Sequence, residues 1–219
     1  MFASVHTVVF VLGRITPSGV TPLGTVFTLS KPGLFATAAH IAGNDDQNLV
    51  ITSKKLNSIQ DYQDTSDTTC QTFPVKFAAL DAFHDLCILK ADIKAVSNIR
   101  ISGTDTAQVG DNVAIFGFPH CNHGRVVLTQ QNTEIGARVL IEAGGVKVKN
   151  VVLNIQSRPG QSGSPIFSFK DGSLVAVLIG AYIPRGGGSI SLGGIDPNTL
   201  HQTTHAVSAE YLNPMLESL

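Results

Sequence analysis

Tryptophan is absent from the 219-residue chain, so no indole can anchor a binding site. Charge is scarce as well: Asp, Glu, Lys and Arg make up 14% of the residues, against the usual quarter, and they nearly cancel to a net −1. The basic footprint that a nucleic-acid backbone demands is therefore missing. Lys54-Lys55 and the Lys147/Lys149 pair read as solvated strand or turn faces. The three cysteines, Cys70, Cys87 and Cys121, are odd in number and form no CxxC pair, which argues against a disulfide framework. Cys87 lies in the apolar run LCILK and reads as a small core hydrophobe, whereas Cys121 sits in a polar turn that reads as exposed. So few thiols, without staples, suit a reducing compartment. No apolar stretch reaches the length of a membrane-spanning helix. The start, MFASVHTVVFVLG, lacks the basic region of a secretory leader and carries His6 and Thr7, so it reads as a first strand. These absences predict a soluble, intracellular protein that binds neither nucleic acid nor membrane.

Hydrophobic residues at 43% supply enough material for a real core, and the Gly and Pro content fits a chain of many turns. Short β-rich runs recur along the chain: 7–12, 24–29, 34–38, 49–52, 72–80, 86–90, 112–116, 126–130, 137–141, 151–156, 164–168 and 174–179. Gly, Pro, Asn or Asp punctuate most gaps between them. About a dozen such runs predict an all-β chain of two six-stranded antiparallel barrels sharing a cleft. The predicted division is 1–95 for the first barrel, 96–110 for a linker, and 111–219 for the second barrel with a closing helix. In that helix Leu212, Met215, Leu216 and Leu219 fall along one side, and Pro214 shortens it or delays its start. The stretches 57–70 and 184–197 read as irregular. The second has a glycine density that gives flexibility or close backbone approach, but it lacks a phosphate-loop pattern.

Three residues could do chemistry together. Ser162 sits in RPGQSGSPIF, where small residues and flanking prolines permit a tight turn that exposes its hydroxyl before an apolar strand. An ordinary hairpin turn is the plainer reading of the same residues. His40 stands at the end of the apolar strand LFATA, beside the small Ala38 and Ala39. Asp85 directly precedes a buried-looking strand in DAFHDLCILK, where its carboxylate could hold one imidazole nitrogen and leave the other free to take a serine proton. Asp81 and His84 are neighbouring candidates ranked below it. The order histidine, aspartate, serine differs from the order in α/β-hydrolases, and a cleft between two halves would assemble all three. A metal hydrolase is disfavoured because no HExxH is present and His120, Cys121 and His123 lack a fourth ligand. A cysteine peptidase is disfavoured because no cysteine occupies the nucleophile position.

With these residues in place, the chain resembles the trypsin/chymotrypsin-like serine peptidases, closest in pattern to the HtrA/DegP-type peptidase domain without a PDZ domain. TAAH at 37–40, HDLCILK at 84–90 and GQSGSP at 160–165 carry the resemblance. VAIFGFP at 113–119, LVAVLIGAY at 174–182 and AVSAEYL at 206–212 add weaker matches. The resemblance implies a serine endopeptidase acting on polypeptide through an acyl-enzyme, with no cofactor. It implies His40, Asp85 and Ser162 as the triad, and the N–H groups of Gly160 and Ser162 as the oxyanion hole. It also places Gln156, Gly180 and Tyr182 around the primary specificity pocket, where nothing is acidic. Small or medium side chains are the expected preference, and His205 leaves a preference for glutamate open. Gln161 replaces the family's acidic residue, which implies an enzyme without the N-terminal ion pair of the zymogen members. The alternatives are a catalytically silent protein-binding module on the same fold and, further off, a structural β protein. The sequence leaves the oligomeric state open.

Overall fold

A computed structural model describes residues 2–182 and 203–219. The strands are β1 (Val9–Thr16), β2 (Gly19–Thr28), β3 (Leu34–Ala38), β4 (Leu49–Ser53), β5 (Gln71–Asp81) and β6 (Leu86–Ala91), followed by β7 (Asn112–Gly117), β8 (Thr129–Ala143), β9 (Val146–Leu153), β10 (Pro165–Ser168), β11 (Leu174–Tyr182) and β12 (Thr203–Ser208). They close into two antiparallel barrels, in the orders β1-β2-β3-β6-β5-β4 and β10-β11-β12-β9-β8-β7. Two short helices complete the scaffold, α1 (Ala39–Ala42) and α2 (Leu212–Glu217).

The pleat sends alternate residues to opposite faces, and here both faces of many strands are covered. Val26, Cys87 and Leu89 fill the interior of the first barrel. Val113, Ile115 and Ile166 fill the second. Their strand neighbours Phe27, Leu86, Ile88, Ala114, Phe116 and Phe167 point the other way, into a third apolar cluster that joins the barrels. This is why LFATA and LCIL read as continuous apolar runs instead of alternating ones.

Three details depart from the sequence reading. Of the run at 126–130 only Thr129 and Gln130 are strand, and they belong with 137–141 to one long strand, β8, which passes through an irregularity between Ile135 and Ala137. Gly136 permits it, since a Cβ there would lie 2.1 Å from the Asn154 side chain. The twelfth strand is instead β12, antiparallel to both β11 and β9. The closing helix begins late: Ala209–Tyr211 form a 3-10 turn, Pro214 falls in the first turn of α2, and Leu212, Met215 and Leu216 are buried while Leu219 is exposed. The stretch 184–197 lies outside the described residues. Among the described residues, no helix is long and apolar enough to cross a membrane.

Candidate active site

The junction of the barrels brings the histidine turn, its aspartate and the serine loop together from separate elements. β3 runs into the single turn of α1, which carries His40. Asp85 closes the β5–β6 connection in a left-handed conformation, φ +53°. It docks the whole histidine turn. Its carbonyl accepts the Ala39 N–H at 2.9 Å, its Oδ1 accepts the His40 N–H at 2.8 Å, and its Oδ2 pairs with His40 Nδ1 at 2.6 Å. A carboxylate can only accept, so the proton resides on Nδ1 and Nε2 presents its lone pair.

Ser162 follows the turn Arg158–Gln161, in which the Gln161 N–H donates to the Arg158 carbonyl at 3.1 Å. Pro159 takes the second position and Gly160, at φ +90°, the third, which is the residue order of a type II turn. A Cβ on Gly160 would lie 2.6 Å from the Phe118 carbonyl and 2.8 Å from Cys121 Sγ, so only glycine fits. Around Ser162 the barrels are in contact. The Thr25 N–H donates to the Ser162 carbonyl at 2.9 Å. A Cβ on Gly163 would lie 2.4 Å from Thr37 Oγ1 and 3.2 Å from the Ala38 nitrogen. A Cβ on Gly24 would meet Ile41 of α1 at 2.5 Å and the Ser162 carbonyl at 3.0 Å. The serine loop and the histidine turn are thus neighbours on both sides. The Ser162 hydroxyl itself donates to the Ile179 carbonyl at 3.4 Å, and no hydrogen bond joins it to His40. Among the described residues, neither the Gly160 nor the Ser162 N–H meets an acceptor.

A second His–Asp pair stands nearby. His84 Nδ1 lies 2.6 Å from Asp81 Oδ2, with the ring stacked on Tyr211 at 3.7 Å. It is half-buried and lies outside the serine loop's contacts, so it serves the β5–β6 turn. Of the expected pocket residues, Gln156 follows β9 and its Oε1 accepts Arg158 Nη1 at 2.6 Å. Gly180 occupies a β11 irregularity at φ +150°, facing His205 of β12. Tyr182 ends the β11 backbone, and its side chain lies outside the described residues. Burial lowers the His205 pKa. No group of three or more His, Cys, Asp or Glu among the described residues could hold a metal ion.

Two supporting roles escaped the sequence reading: the bracing by Gln161, noted there only as a departure from the family pattern, and that by Arg14. Gln161 is fully buried: its Oε1 accepts the Arg158 N–H at 2.7 Å and its Nε2 donates to Gln131 Oε1 at 2.6 Å. A neutral amide, bonded at both ends, thus braces the turn where an acidic residue would need a cation. Arg14 donates to the Ala42 carbonyl at 3.0 Å and to Asp45 Oδ1 at 3.0 Å, clamping the exit of α1. A single Arg inside the apolar run of β1 was the one available signal. Cys121, expected to be exposed, is buried beneath the turn with Sγ 3.8 Å from the Gly160 carbonyl.

The family model of the trypsin-like peptidase domain matches residues 24–177, more than half of the chain. The chain belongs to that family, with a trypsin-like fold, and is related to the HtrA/DegP-type proteases. Among curated relatives, the chain is 26% identical over 173 residues to a probable periplasmic serine endoprotease, DegP-like, of Rickettsia conorii. The match covers 78% of this chain but only 30% of that protein. In structure it resembles the MamO protease domain of Magnetospirillum magneticum (apo form), with TM-score 0.68, 15% identity and 98% of both chains covered. It also resembles the Rv3671c protease of M. tuberculosis in its active form, with TM-score 0.67, 17% identity, and 97% and 80% covered. A third likeness is the HtrA-type protease AlgW with a tripeptide, with TM-score 0.68, 18% identity, and 97% and 60% covered.

Proposed function

We propose that the chain hydrolyses peptide bonds with Ser162 as nucleophile, His40 as general base and Asp85 as the group that orients and charges-balances the imidazole. The observation that carries this reading is the double grip of Asp85 on His40, which fixes the tautomer whose Nε2 can accept a proton. Ser162 turns its hydroxyl from the Ile179 carbonyl to Nε2, loses its proton there and attacks the substrate carbonyl. The oxyanion lodges against the Gly160 and Ser162 N–H groups, which have no competing acceptor among the described residues. His40 then protonates the leaving amine, and water releases the acyl group by the same route. Gln156, Gly180 and Tyr182 border the primary pocket in this reading. With no acid among them, small or medium side chains suit it better than Lys or Arg. The bonded Gln161 amide supports activity without N-terminal processing. Three free thiols support residence in a reducing compartment.

One observation favours a silent binding module instead, namely that the serine hydroxyl faces Ile179 and not His40. A fluorophosphonate probe separates the two readings. Wild-type protein should label stoichiometrically at Ser162, located by peptide mass, while Ser162→Ala should not label and should lose roughly 10⁴ or more in turnover. Absence of labelling in the folded wild type, or equal labelling of Ser162→Ala, would overturn the assignment.

A further inference from the structure

The two residues proposed to supply oxyanion donors share an anchor that lies far away in the chain. Thr25, on β2 of the first barrel, donates its N–H to the Ser162 carbonyl at 2.9 Å and its hydroxyl to the Gly160 carbonyl at 3.0 Å. Thr25 is fully buried. The direction of its hydroxyl bond is dictated by a third partner. The Phe118 N–H lies 3.2 Å from Thr25 Oγ1 and can only donate, so the hydroxyl accepts there and its single proton goes to the Gly160 carbonyl. The main-chain carbonyl of Thr25 is also engaged, accepting Thr37 Oγ1 at 2.7 Å. Every polar group of this residue is therefore used, and the chain Phe118 N–H, Thr25 O–H, Gly160 C=O runs across the junction of the barrels.

Gly160 needs such restraint because a glycine can rotate either flanking peptide at little cost. The peptide that carries its N–H is held on one side by the His120 N–H, which donates to the Pro159 carbonyl at 2.6 Å. His120 adopts φ +63° to do so, unusual for a residue with a side chain. The N–H of a trans peptide points opposite to its C=O, so this bond aims the Gly160 N–H away from the 118–121 segment. The other flanking peptide, between Gly160 and Gln161, is held by the Thr25 hydroxyl.

We propose that Thr25 is a positioning residue for the oxyanion hole, its hydroxyl locking the Gly160–Gln161 peptide and its N–H the Ser162 carbonyl, so that the Gly160 and Ser162 donors keep one fixed relation to each other where negative charge develops. The proposal rests on the oxyanion reading given above. It also gives a role to the fully buried Thr25 hydroxyl, which is bonded on both sides. Preorganisation of this kind acts in the transition state and leaves ground-state binding nearly untouched.

The test compares Thr25→Val, Thr25→Ala and Thr25→Ser with the wild type, each checked for a cooperative melt. Val and Ala should lower kcat by about 10–100-fold with KM within about threefold, somewhat less than the loss of a whole oxyanion donor. Ser, which keeps the hydroxyl, should recover kcat to within about threefold. Affinity for a peptide boronate, which places a tetrahedral oxygen in the hole, should fall with kcat, while affinity for the matching product peptide should hold. Loosening of the barrels without an oxyanion effect would weaken both ligands alike, and that result overturns the proposal. So does an unchanged kcat in Thr25→Val or Thr25→Ala. If Val fails to fold, the Ala/Ser pair carries the same decision. Fluorophosphonate labelling of the wild type separates the failures: a wild type that does not label sinks the catalytic reading, whereas a labelled wild type beside an indifferent Thr25→Ala sinks only the role of Thr25.

Discussion

Asp85→Asn tests the proton bookkeeping of the site with little steric change. Asparagine matches aspartate in shape and tolerates the left-handed conformation that position 85 adopts at φ +53°. The carboxylate it replaces accepts twice from one residue, at the His40 N–H (2.8 Å) and at Nδ1 (2.6 Å). A carboxamide has one oxygen for these two donors. With the oxygen on the backbone N–H, the NH₂ faces Nδ1, takes its lone pair and forces the ring proton onto Nε2, where it blocks the serine. With the oxygen on Nδ1, two N–H donors collide at the backbone, at a cost of about 1–3 kcal/mol. In either arrangement the imidazolium also loses a charged partner, about 1.5–3 kcal/mol more. The sum, about 2.5–6 kcal/mol, corresponds to ~10²–10⁴ in rate. Initial rates on a chromogenic peptide ester, with folded enzyme counted by its thermal transition, would measure it. Asp81→Asn is the control: its bond to His84 is equally short, at 2.6 Å, yet kcat should stay within about tenfold. An Asp85→Asn protein that is folded and within about fivefold of the wild type would refute the reasoning. So would an Asp81→Asn protein as damaged as Asp85→Asn.

Two further outcomes follow from the titrating groups. Burial pushes the Cys87 thiol up to about 12 and the Cys121 thiol to about 11, while Cys70 is exposed, so a thiol reagent at neutral pH should modify one cysteine rapidly in the native protein and all three after denaturation. Rapid reaction of two native thiols would contradict the buried placement of Cys121. Asp171 accepts the Ser173 hydroxyl at 2.7 Å and the Ser173 N–H at 3.0 Å, with Arg100 beside it, and these hold its carboxyl at about 2 against an ordinary 3.8. A lowered folded pKa adds stability that is fully present above 3.8 and is lost as pH falls toward 2. The wild type should therefore melt above Asp171→Asn at pH 5, and the gap should close as the pH approaches 2. A gap that is constant with pH would refute the link.

Much of this architecture could be read before any coordinates. β3, β6, β7, β10 and β11 were visible because both of their faces are buried, which writes an unbroken apolar run into the sequence. β8 was read short because the polar stretch 131–136, which holds Asn132 and Gly136, shows no apolar run, although the strand continues through it and merely bulges at Gly136 around Asn154. β12 was visible only through the family pattern, since TTHAVS mixes polar and apolar residues without a clear period. Candidate chemistry was legible where it needs rare side chains in particular settings, as at His40, Asp85 and Ser162. The bonds of the supports were not legible. Thr25 and Gln161 are common residue types whose importance lies in partners more than a hundred and thirty positions away in one case and thirty in the other. The burial of Cys121 was hidden because CNHG is polar in composition, and only the turn at Gly160 packing over it closes it off.

The chain ends are exchanged between the two halves. Phe2, near the start, meets Phe116 and Phe169 edge to face and Phe167 at a tilt, all on the side of the second barrel, with centroids 5.2, 5.4 and 5.7 Å away. α2, at the finish, lies against β5 of the first barrel, and the Leu216 carbonyl receives Lys31 Nζ at 2.6 Å. Each half wears a clasp sewn from the other's thread. A fragment holding six strands alone would keep its own ladder yet expose the apolar wall that the missing clasp covered, so cooperative assembly belongs to the pair.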